Sequence, residues 1–256
     1  MFSGLWCDLV VRQPDGSLQT RYDLVRSRLD RFVDNGLDLM IILDDVPWAF
    51  VDVRSEQCQG FGCQYLPPRD PAEFASWVGD LAGFMIKAYG GDYASRIRWR
   101  LGTEANGPRW SNHGVLFDPF LETYSRTMKR IKEVIPGAEV GASNWVEVTG
   151  ASGNLTEHGS DAFQWKFYSA LAADPSIPLD WVSESHYGSY GNQHAPNFPG
   201  ADYIQRTPGG TSGAFELEAM RKLAQRPKAS LEIQEWSILN NEDHNPTYYT
   251  CTRSPA

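Results

Sequence analysis

What the sequence lacks narrows its partners first. No stretch approaches the roughly 18 consecutive apolar residues of a membrane-spanning helix. Lys and Arg total 23 against 32 Asp and Glu, a net charge of −9. A phosphate backbone needs a clustered cationic surface, so nucleic acid is not an expected partner. The four cysteines, Cys7, Cys58, Cys63 and Cys251, are too few for a disulfide scaffold in a chain of 256 residues. Cys58 and Cys63 flank QGFG, a spacing that leaves a small bridge and two free thiols both open. Paired C-x-x-C motifs are missing, and His186 and His194 have no acidic or thiol partners at matching spacing. No metal and no cofactor is therefore expected. The opening MFSGLWCDLVV has no basic leader followed by an apolar run. A leader removed from a secreted or periplasmic protein leaves no trace, so the compartment stays unassigned. Short internal repeats and low-complexity tracts are also absent, which excludes propellers and solenoids.

What is present is enough apolar sequence, 41%, for one large core, and the expectation is a single domain over 1–256. Helical and strand patterns alternate, the mark of parallel β/α units. In TRYDLVRSRLDRFVDNG, Leu24, Val25, Leu29, Phe32 and Val33 recur at helical spacing, and Gly36 is the stop. LDLMIILDDVP follows as a short buried-type strand. Asp70 and Pro71 open the next helix and paired glycines end it. DPFLETYSRTMKRIKEVIPG repeats that capped pattern, and SDAFQWKFYSALAADP and GAFELEAMRKLAQRP are further helices. RIRWRLGTEANG, AEVGASNW, LDWVSESHYG and SLEIQEWS supply the other strands. That gives five strands and a stub at Met1 to Asp8, where a closed α/β barrel has eight.

Two glutamates stand at strand ends instead of on helical faces, Glu104 in RWRLGTEANG and Glu235 in LEIQEWSILNN. Strand C-termini are where catalytic groups gather in such barrels. Glycosidic cleavage needs one carboxyl group to protonate the leaving oxygen and another to attack or to activate water. Hydrophobic strand residues precede each Glu, and aromatics lie nearby: Trp99 and Trp110 for Glu104, Trp236 for Glu235. Burial of that kind raises a carboxyl pKa and separates an acid from a nucleophile. Glu122, Glu133, Glu216 and Glu218 lie on expected helices and are read as solvated charges. Nine tryptophans, several in polar or Gly- and Pro-rich stretches, suit stacking on sugar rings as well as ordinary packing. Trp48, Trp110, Trp145 and Trp236 are the stacking candidates. Asn144, in GASNW, either reaches substrate or turns the chain.

These motifs resemble the clan A glycoside hydrolases, in particular family 39 and the agarase and porphyranase barrels of family 86. The resemblance covers most of the chain. It aligns GLWCDL with the second strand, LMIILDDVPWAF with the third, SESHYG with the sixth and IQEWS with the seventh. It implies a (β/α)8 TIM barrel that is incomplete here, without its first and last β/α units and with open strand edges that favour aggregation. It also implies Glu104 at the end of the fourth strand as acid/base and Glu235 at the end of the seventh as nucleophile. His186 and Tyr187 take the sixth-strand place that orients the nucleophile. The clan usually carries Asn before the acid/base to bond the sugar 2-hydroxyl. Thr103 stands there instead, a departure that points toward a galactan-type substrate.

The expected activity is thus a retaining glycosidase acting on a β-linked oligo- or polysaccharide by double displacement. The alternative is an inactive carbohydrate-binding barrel with the same aromatic cleft. A metal-dependent hydrolase or a Schiff-base aldolase finds no ligand set and no strand-end lysine. Of the remaining polar groups, Arg109 and His113 are candidates for an anionic sugar substituent or for plain loop solvation. Asp44 and Asp45 either hold an arginine or bind hydroxyls. Asn154-Leu155-Thr156 matches a short glycosylation pattern.

Overall fold

Asp70, Pro71 and Gly90 bracket the longest helix and act as the sequence requires. In the computed structural model, which describes residues 9–44, 46–51, 67–105, 117–146, 163–187, 218 and 220–237, this helix runs Pro71–Tyr89. The Asp70 carboxylate accepts from the backbone N–H of Ala72 at 2.8 Å and of Glu73 at 3.1 Å, a cap worth about 1 kcal/mol. Gly90 ends the helix at φ 86°, a left-handed conformation that costs glycine no Cβ clash. Phe74, Trp77, Val78, Leu81 and Met85 form its buried face, each large side chain contributing about 1.5–3 kcal/mol.

In chain order the elements are β1 (Val10–Arg12), β2 (Leu18–Thr20), α1 (Tyr22–Asp34), β3 (Met40–Leu43), a 3-10 turn (Trp48–Phe50), α2 (Pro71–Tyr89), α3 (Gly91–Ala94), β4 (Arg98–Leu101), α4 (Phe117–Val134), β5 (Glu139–Val146), α5 (Phe163–Ala173), β6 (Trp181–Tyr187) and β7 (Ser230–Ser237). The five expected strands are β3 to β7. They form a parallel sheet in the order β3-β4-β5-β6-β7, without the reversal that marks a doubly wound fold.

By packing, the chain divides into two compact units. The first carries the described elements from β1 to β4, α4 from Asp118, and Glu139 and Val140 of β5. The second carries the loop after β4, β5 from Gly141, α5, β6 and β7. In the first unit β3 and β4 pair without interruption from Met40↔Arg98 to Leu43↔Leu101. The apolar face of α4 is Phe120, Tyr124, Met128 and Ile131, all buried, the helical period that the sequence shows. In the second unit both strand pairings shift register once, between Gly141 and Asn144 on β5 and between Glu184 and Ser185 on β6. Gly141 lies against the Trp181 indole, and a Cβ there would sit 2.1 Å from a ring carbon.

Several expectations are revised. The β1–β2 hairpin was not read from the sequence, although Pro14-Asp15-Gly16-Ser17 is a turn signal. Gly16 sits at φ 87°, and the Asp15 carboxylate accepts from both the N–H and the hydroxyl of Ser17. The stub strand at 1–8 lies outside the described residues. The helix expected to be capped by Asp118 starts at Phe117. Asp118 is instead in its first turn, where its charge suits the positive helix end. On α1 only Val25 of the expected apolar face is fully buried, and Phe32 is 49% exposed.

Burial differs sharply along the sheet. Every described side chain from Val140 to Trp145 and from Trp181 to Ser185 is buried. Met40, Ile41 and Ile42 of β3 are only half-buried, and Ile233 of β7 is 47% exposed.

Candidate active site

The end of β4 is built to break strand geometry. Gly102 follows Leu101 at φ 76°, and two residues later Glu104 sits at φ 50°. Among the described non-glycine residues Gln225 shares a positive φ, and it closes a helical turn by donating to Lys222. Glu104 ends no helix. A left-handed non-glycine residue costs about 1–3 kcal/mol, and such residues cluster where function requires an unusual backbone.

The cost is offset by β5. The Glu104 N–H donates to the Asn144 carbonyl at 3.0 Å and leans toward Asn144 Oδ1 at 3.4 Å. The next N–H, of Ala105, donates to Ser143 Oγ at 2.9 Å. Successive strand residues normally face opposite sides. Here Ser143 and Asn144 both serve one loop, because the register shift between Gly141 and Asn144 is a bulge that re-aims side chains. Asn144 Nδ2 then donates to Ser185 Oγ on β6 at 2.6 Å. Ser143, Asn144, Ser183 and Ser185 are all buried, so each hydroxyl or amide needs a partner to avoid a desolvation cost of about 1–3 kcal/mol.

The backbone continues this line to β7. After the shift, Ser185 registers with Glu235, His186 with Trp236 and Tyr187 with Ser237. The extra residue is Gln234, immediately before Glu235. Thus Glu104 lies against β5, Asn144 is bonded to Ser185, and Ser185 is the Cα partner of Glu235. The side chains of Glu235, Trp236, His186 and Tyr187 lie outside the described residues, as do all of Trp110, Arg109, His113, Asp45, Asn154 and the four cysteines. Thr103 is half-buried beside Glu104. Trp48 is half-buried in the 3-10 turn of the first unit.

Two stacking or contact candidates take other places. Trp145 has no exposed surface. Its indole packs against Phe163, Phe167 and Tyr168 of α5, and its N–H donates to the Tyr168 hydroxyl at 2.5 Å. It is a packing residue, correcting the expectation of a sugar platform. Asn144 is likewise fully buried, and β5 runs on to Val146, so it neither turns the chain nor opens toward solvent. Burial pushes the Tyr168 hydroxyl well above the usual phenol range; the indole hydrogen bond opposes this and the Glu184 charge adds to it. Ser143 and Ser185 were missed in the sequence. Their signal was polar residues in strands otherwise apolar, in GASNW and WVSES.

Among the described residues no cluster of His, Cys, Asp and Glu has the makings of a metal site, and no helix is long and apolar enough to cross a membrane. Glu122 and Glu133 pair with Arg126 and Arg130 on α4, and Glu218 pairs with Arg221. These are surface ion pairs worth little.

No protein-family model matches the chain. An alpha-1,4-L-rhamnosidase of Formosa agariphila is 24% identical over 179 residues, 67% of this chain and 34% of the relative. The solved GH39 enzyme of Xanthomonas axonopodis pv. citri matches with a TM-score of 0.59 at 19% identity, over 90% of this chain and 42% of its own. A GH39 β-xylosidase from Caulobacter crescentus matches with a TM-score of 0.57 at 16% identity, over 91% of this chain and 44% of its own. The chain therefore spans about a third of the curated relative and less than half of each of these solved chains. In fold, this α/β chain with its five-stranded parallel sheet is similar to the family 39 glycoside hydrolases, the family its strand-end motifs resemble.

Proposed function

We propose that the chain is part of the catalytic barrel of a retaining glycoside hydrolase, with Glu104 as acid/base and Glu235 as nucleophile on a β-linked sugar. The observation that carries this reading is the strained backbone of Glu104 at φ 50°, seated on a bulged β5. The second bulge, directly before Glu235, supports it from the other strand end. Backbone irregularities gathered at two strand-end acids favour a reacting centre over a solvated loop.

In the first step Glu235 attacks the anomeric carbon while Glu104 protonates the departing oxygen. In the second, Glu104 takes a proton from water, and that water frees the sugar from Glu235. A retaining pair works at a carboxyl separation of about 5–5.5 Å. The half-exposed apolar residues of β3 and β7 support the view that further strands flank this sheet in a complete barrel.

The test is product analysis on xylan, agarose, porphyran and mixed β-glucans, with the anomer followed by NMR. The β-anomer forms first if the mechanism is retaining. Azide restores part of the turnover of Glu104→Ala, because a small anion then has room to attack the glycosyl-enzyme, and it does nothing for Glu104→Gln. Initial release of the α-anomer, or full activity in Glu104→Gln or Glu235→Gln, would falsify the assignment.

A further inference from the structure

We propose that Ser143, Asn144 and Ser185 are positioning residues that aim the Glu104 carboxyl group from beneath; this rests on the glycosidase reading of Glu104. Three observations carry it. The loop residues 104 and 105 have their N–H groups held by β5, through the Asn144 carbonyl and Oδ1 and through Ser143 Oγ. The Asn144 amide is in turn held by Ser185 Oγ at 2.6 Å, which fixes which way Oδ1 points. All three side chains are fully buried at strand positions where Val or Ile would otherwise pack without any hydrogen-bonding requirement.

The polar triplet therefore does something an apolar strand cannot: it keeps a non-glycine residue in a left-handed backbone and so sets the direction in which its side chain leaves the strand. A general acid must meet the leaving oxygen within hydrogen-bond reach, and a displacement near 1 Å costs about 10²-fold in rate. Ser185 is also the Cα partner of Glu235. One hydroxyl thus ties the seat of the acid/base to β6, the strand whose backbone pairs with the nucleophile's, so the spacing of the two groups is set in the β5–β6–β7 layer.

Leaving groups separate aim from general damage. A phenyl glycoside needs the proton that Glu104 donates, whereas a dinitrophenyl glycoside leaves without it. With phenyl and dinitrophenyl β-xylosides, β-glucosides and β-galactosides as probes, Asn144→Ala should lower kcat/KM, which reports the step in which the leaving group departs, by about 10²-fold on the phenyl substrates and by less than about 5-fold on the dinitrophenyl ones. Ser185→Ala should give the same split at about 10-fold, and Ser185→Thr, which keeps the hydroxyl, should return the phenyl substrates to near the wild-type rate. If Asn144→Ala does not fold, the Ser185 pair decides. Equal losses on both leaving groups, or none, overturn the positioning role while leaving Glu104 in place if Glu104→Ala itself shows the split. A wild type that turns over none of these substrates and releases no sugar from xylan, agarose, porphyran or mixed β-glucans, or a Glu104→Ala variant without the split, removes the glycosidase reading and this inference with it.

Discussion

The two compact units handle their backbones differently. Among the described residues of the first, β3 and β4 pair in unbroken register, positive φ values fall on glycines, and the buried polar residues are Arg100, Thr123 and Thr127. In the second, two pairings are bulged, Glu104 and Gln225 are left-handed, and Ser143, Asn144, Gln164, Ser183, Glu184 and Ser185 are buried. Regular packing maximises stability. Departures from it that persist are those that place a side chain where regular geometry would not. The irregular backbone gathers in the second unit, which is also where the proposed acid/base and nucleophile lie.

The largest effect expected from this contrast is on turnover. Glu104→Gln or Glu235→Gln should lower kcat by about 10²–10⁴-fold without shifting the melting temperature. Glu122→Gln, which loses only an exposed ion pair with Arg126, should leave kcat unchanged. Equal losses at both kinds of site would erase the distinction between the units.

Next in size is Trp145→Ala, which empties an aromatic cluster and should cost about 3–5 kcal/mol in urea denaturation. If Trp145 instead raised KM with stability intact, its place would be in a sugar subsite after all. Alkaline pH probes the same cluster. The Tyr168 phenol titrates above its ordinary range when folded and near 10 when unfolded. Its contribution is therefore complete below pH of about 10 and declines as pH rises, by up to about 1.4 kcal/mol per pH unit. Tyr168→Phe should flatten that decline; a wild-type stability level up to pH of about 12 would contradict it.

The smallest effect sharpens the comparison most. Glycine pays no steric cost at φ 50°, so Glu104→Gly should be more stable than Glu104→Ala by about 1 kcal/mol. The same pair of substitutions in the middle of α2, at the exposed Asp80, should rank the other way, since Ala is the better helix former. A matching order at both positions would mean that Glu104 is not strained in solution.

Much of this was readable in advance, for physical reasons that differ by element. α2 and α4 announce themselves through period and punctuation, and β3 to β7 through short apolar runs. The two glutamates stood out because each closes an apolar strand run at the C-terminal end, where catalytic groups gather in α/β barrels. The supporting serines did not, since a Ser in a strand carries no periodic signal and its partner is 38 or more residues away, as from Ala105 to Ser143. The hairpin is not legible in the sequence because strands of three residues are too short to show an alternating pattern. Trp145 was misjudged because one-residue alternation decides which side of a sheet a side chain faces, and a bulge resets that count.

Gly141 has a consequence for anyone wishing to retune this protein. With the Trp181 ring occupying the space a methyl group would need, position 141 tolerates no diversity, and a library randomised along β5 would lose members at this codon through poor yield instead of altered selectivity. Screens scored on product alone would record those clones as catalytic failures. Holding 141 constant while varying its neighbours keeps the two outcomes apart.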